Sequence, residues 1–153
     1  MQDVIEKAKL WKEAILHYDQ EVAEIAQIII SISEAKKIGE EWKLDNMREE
    51  QKTRTKGLSD EYLSVEDAQG KLLLAILLQP DSDSKNILIS LMAKNPDFAG
   101  LDEKATTALD AKTKNAEDLQ ACAYVHEIYI NHLAMMADKI IDLVDKNEVH
   151  PSS

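Results

Sequence analysis

Three side chains near the start of the chain have the types and spacing to hold a metal ion or move a proton. His17 stands four residues after Glu13 and four before Glu21, so a helix puts all three on one face. Imidazole and carboxylate both bind divalent cations, but zinc needs three or four convergent ligands, and neither HExxH nor CxxC accompanies the trio. Ion pairs and hydrogen bonds on a wet helix surface account for it as well, and no metal is expected. His126 falls on an apolar helical stripe, where a hydrogen bond to a neighbour suffices; His132 follows six residues on, and His150 lies in the tail. The Glu-x-x-His pairs of di-iron bundles are missing. Cys122 is the one cysteine, so no intrachain disulfide can form, and its apolar stripe suits a buried, inert thiol.

The segment Gln20-Glu21-Val22-Ala23-Glu24-Ile25-Ala26 resembles the ExxE stretch of the all-α nucleotide pyrophosphohydrolases related to MazG. The resemblance implies magnesium held by carboxylates from two helices, with a matching ExxD element on the second. In place of that element, Glu66 is followed three residues later by Gln69, and Asp67 by Gly70. A magnesium-dependent all-α hydrolase therefore stands as the alternative to a non-enzymatic reading. Four scattered glycines make no phosphate-cradling loop, and basic and aromatic residues do not interleave as nucleic-acid binding requires. No cofactor is expected.

More distinctive is the acid cluster Glu40, Glu41, Asp45, Glu49 and Glu50 around Trp42. A solvated helix face is the plain account. The sharper one is an electrostatic docking surface for a basic protein, with Trp42 as its anchor. The whole chain carries a formal net charge of −11, which repels phosphate backbones and anionic lipid and permits a basic protein partner. The opening residues hold no signal-peptide core and the longest apolar run, Leu72 to Leu78, is too short to span a bilayer. A cytoplasmic location is expected.

The elements that must position these groups are helices. With 44% hydrophobic residues, four Gly and three Pro in 153 residues, the chain can bury a core but has little turn chemistry for strands. Apolar residues alternate in steps of four and three at Val4, Ala8, Trp11, Ile15, Tyr18, Val22, Ile25, Ile29 and Ile32, the period of a coiled-coil seam. Leu119, Ala123, His126, Ile130, Leu133, Ala137, Ile140 and Val144 repeat that rhythm near the C-terminus. Cap and turn residues predict helices over about 3–55, 59–79, 83–95 and 102–146. Gly39 either bends the first helix or breaks it, Gly57 ends it, Ser59 caps the second, Pro80 stops it, and Phe98 anchors the loop before Asp102. The run 72–78 is apolar on every face and predicts burial all round.

At about 1.5 Å per residue the first and last helices would be roughly 80 and 65 Å long, and the middle two about 30 and 20 Å. The expected fold is one all-α, up-down-up-down bundle, with two long antiparallel heptad-patterned outer helices and a short two-helix insert at one end. Second apolar stripes, Leu16, Ala23 and Ile30 on the first helix and Cys122, Tyr129, Met136 and Leu143 on the last, would then lie beyond reach of the insert. A symmetric homodimer is expected to cover them; the alternative is a break at Gly39 that lets the middle helices slide down. The expected function is a non-enzymatic, acidic protein-binding module of the immunity, inhibitor or chaperone kind, which sequesters or escorts a partner. A structural homo-oligomer is the third reading.

Overall fold

The computed structural model of the protein describes residues 1–93, 131 and 133–146. Among the described residues the regular structure is all helical: α1 (Gln2–Lys37), a 3-10 turn (Glu41–Lys43), α2 (Leu44–Leu77), α3 (Asp83–Ala93) and α4 (133–146). None of these helices is long and apolar enough to cross a membrane.

The single first helix expected over 3–55 is two helices. Gly39 takes φ +77°, a left-handed conformation that costs an L side chain about 1–2 kcal/mol and glycine nothing. Its N–H donates to the Lys36 carbonyl at 3.4 Å, and the next N–H, of Glu40, reaches back to the Ala35 carbonyl at 3.0 Å. This pair of bonds is the Schellman termination, which satisfies carbonyls that the helix end would otherwise leave open. Lys36 and Lys37 complete it by facing the negative end of the helix dipole. A glycine that merely weakens a helix interior thus becomes a favourable stop.

Gly57 behaves in the opposite way. The expected break there and the expected start at Ser59 are absent, because α2 runs unbroken through both. Leu58 and Val65 are each 1% exposed, and Thr55 is buried with its hydroxyl donating to the Gln51 carbonyl at 2.8 Å. Burial on either side of Gly57 outweighs its poor helix propensity. At the far end Pro80 supplies no N–H, and Lys85 Nζ donates to the Gln79 carbonyl at 2.9 Å. Ser82 then caps α3, its hydroxyl accepting the Lys85 backbone N–H at 3.1 Å.

The described residues form two compact units, one of 17–62 and one of 1–16, 63–93 and 133–146. In the first, α1 and α2 make an antiparallel hairpin about the turn at 38–43. Leu44 packs with Ile32 and Ala35 near the turn, Arg54 meets Glu24 further along, and Glu61 meets His17 further still. Tyr18, Val22, Ile25, Ala26 and Leu58 fill this unit's interior. In the second unit, α1 buries Val4, Ala8, Trp11 and Ile15, and α2 buries Leu72, Ala75 and Ile76. Leu88 and Met92 come from α3, and Leu133, Ala137, Ile140 and Val144 from α4. Lys12 and Asp138, 2.7 Å apart, join α1 to α4 at the surface.

Every seam residue of α1 is buried except Ile29, which is half-buried. The run 72–78, by contrast, is not enclosed all round. Leu73, Leu74, Leu77 and Leu78 are exposed, because α2 turns only one face to the interior here. Leu119, Ala123, His126 and Ile130 of the second seam, Phe98, and the expected cap at Asp102 lie outside the described residues.

Candidate functional site

The hairpin tip is where the acid cluster lies. Gly39 ends α1, the 3-10 turn buries none of its residues, and Leu44 fixes the base of the tip in the core with Ile32 and Ala35. The consequence is that Trp42 stands 78% exposed, with Ile38 67% exposed on the other side of Gly39. An indole projecting this far from a folded surface removes little apolar area from water and so contributes little to stability through burial.

Polar groups surround the ring. Lys43 Nζ sits 5.0 Å from the Trp42 ring centroid and 2.6 Å from Glu40 Oε2, so one ammonium is shared between a π face and a carboxylate. Glu41, Asp45 and Glu49 are exposed and Glu40 is half-buried. Trp42 and the five acids of the cluster, Glu50 included, therefore occur at this end of the hairpin, on a turn and the opening turns of α2 rather than midway along a helix. Ile38 was not among them. Its signal was present, as an apolar residue directly before a glycine that closes a helix, but it becomes visible only once Gly39 is read as a stop.

His17 is engaged differently from the trio that its spacing suggests. Its Nδ1 lies 2.6 Å from Glu61 Oε2, across the hairpin. Glu61 raises the His17 pKa, first through that hydrogen bond and then through its charge, with Glu21 and Glu24 adding to the effect. Among the described residues no three His, Cys, Asp or Glu side chains are grouped so as to hold a metal ion. Glu24, the second carboxylate of the ExxE stretch, is bound to Arg54 at 2.5 Å, and Arg54 Nε also lies 3.5 Å from Glu50. Asp67 is paired with Lys71 at 2.9 Å.

Of the residues assigned to a dimer interface, Leu16 is 42% exposed, Ala23 exposed, and Ile30 and Leu143 half-buried. Met136 is only 8% exposed within the single chain. Cys122 and Tyr129, like His126, His132 and His150, lie outside the described residues. In the core of the other unit, the Trp11 indole N–H is buried with no acceptor among the described residues. The chain matches no protein-family model, no curated protein and no solved structure.

Proposed function

We propose that the protein is a non-enzymatic, acidic helical module that binds a protein partner through the hairpin tip. The observation that supports this reading is the exposure of Trp42 and Ile38 together on a turn whose base is anchored in the core. Tryptophan is the side chain that most often carries binding energy at protein interfaces, and it does so when a partner desolvates it. Glu41, Asp45 and Glu49 steer a basic surface toward the anchor. Sequestration or escort suits a surface that offers an exposed anchor and steering charge.

A photo-crosslinking amino acid at position 42, introduced in the cells that make the protein, tests the reading. A discrete protein adduct should form at 42 and not at Lys71, which is exposed on the other unit. The same adduct from both positions, or none from 42, would overturn it.

A further inference from the structure

The tip has a feature that mere exposure of an indole does not require. Its own Lys43 ammonium is held between the Trp42 ring, 5.0 Å from the centroid, and the Glu40 carboxylate, 2.6 Å away. A ring face combined with a carboxylate is the pairing that recognises ammonium and guanidinium groups, by quadrupole attraction and by a charge-assisted hydrogen bond. We infer that the Trp42–Glu40 pair is a receptor for a cationic side chain of the partner protein, and that Lys43 occupies it in the free protein as a tethered, displaceable ligand. The inference rests on the tip being the protein-binding surface and specifies what that surface grips.

Three observations favour this occupant over an apolar one. The resident group is itself a cation, so the geometry accommodates one. The carboxylates nearby, Glu41, Asp45 and Glu49, are exposed and complement a basic segment. Lys43 belongs to a short turn with no buried residue, so swinging it away disturbs no core. A partner cation must compete with Lys43, which sets a threshold against isolated basic residues and favours a segment that also satisfies the outer acids.

The test is a low-salt titration of the whole protein with an oligo-arginine peptide, followed through the two indole N–H signals by nuclear magnetic resonance. Trp42 should shift saturably while the buried Trp11 signal stays still. Lys43→Gln should tighten binding roughly two- to fivefold, the worth of one exposed cation–π contact. Lys37→Gln removes the same charge from the last turn of α1 but leaves the ring occupied, and should tighten binding less. Glu40→Gln should weaken it. A motionless Trp42 signal, or equal effects of Lys43→Gln and Lys37→Gln, would overturn the inference. Undiminished peptide binding by Trp42→Ala, with helicity intact, would overturn it too, while leaving the protein-binding reading to the cross-link at position 42.

Discussion

Single residues of the hairpin carry two consequences that can be measured directly. Because Glu61 raises the His17 pKa, the folded hairpin holds the imidazolium more tightly than the unfolded chain does. The stabilisation is fully present below the unfolded value of about 6.5 and is lost as pH rises through the higher folded one. His17 is largely exposed, so water screens the pair and the gain is small. A resonance titration should nevertheless give His17 a pKa above that of a free histidine, and Glu61→Gln should bring it down. At the tip, reversing Glu41 and Asp45 to Lys should slow association with a partner more than it hastens dissociation, since exposed acids steer an encounter rather than hold a complex. Stopped-flow kinetics over a range of salt concentrations would show this. Equal on-rates for the reversed and native proteins would remove the acids from any steering role.

Among the elements, the fate of the glycines separates what the sequence discloses from what it conceals. The buried stripe from Val4 to Ile32 and the start of α3 are visible in sequence because apolar period and cap chemistry are local. Gly39 and Gly57 look alike locally, yet one ends a helix and the other lies inside one. The difference is tertiary, since Leu44 is buried against Ile32 and Ala35 after the first, whereas Thr55 and Leu58 are buried around the second. The same limit hid the partners of His17 and Glu24, which come from α2 across a turn that the sequence offers only as one of two outcomes at Gly39. It also made the run 72–78 appear enclosed, because a string of leucines does not disclose how many faces have neighbours. A paired substitution makes the contrast quantitative. A β-carbon at either glycine meets no atom within 4 Å, so only backbone preference is changed. Gly39→Ala should cost about 1–2 kcal/mol through its left-handed φ. Gly57→Ala should instead gain up to about 1 kcal/mol, or roughly 2–4 °C in thermal midpoint. Loss of stability in Gly57→Ala would mean that α2 ends there after all.

For the whole molecule, the break at Gly39 changes the expected state of association. The dimer expectation depended on a first helix about 80 Å long, whose lower stripe no shorter helix could reach. With α1 ending at Lys37, α2 returns beside it within the hairpin at least as far as the Glu61–His17 contact. Of the two stripes that a dimer was to cover, the one on α1 is left with only Leu16 and Ala23 exposed, and the one on α4 includes Met136, which is already buried within its own chain. The exposed leucines at the end of α2 and just beyond it, Leu74 and Leu78 foremost, are near the acids Asp81 and Asp83 in the chain, and a second copy would bring like charges to the same place. The protein should therefore scatter light as a monomer of 17.2 kDa at micromolar concentration. The two lysine substitutions that would dissolve a dimer should then behave differently from each other. Ile30→Lys, at a half-buried position, should leave a folded helical chain. Met136→Lys forces an unpaired ammonium into a buried site, where about 3 kcal/mol or more is lost, and should broaden or abolish cooperative thermal unfolding. A native species of twice the monomer mass, converted by Met136→Lys into a folded monomer, would restore the dimer and place Met136 at its interface.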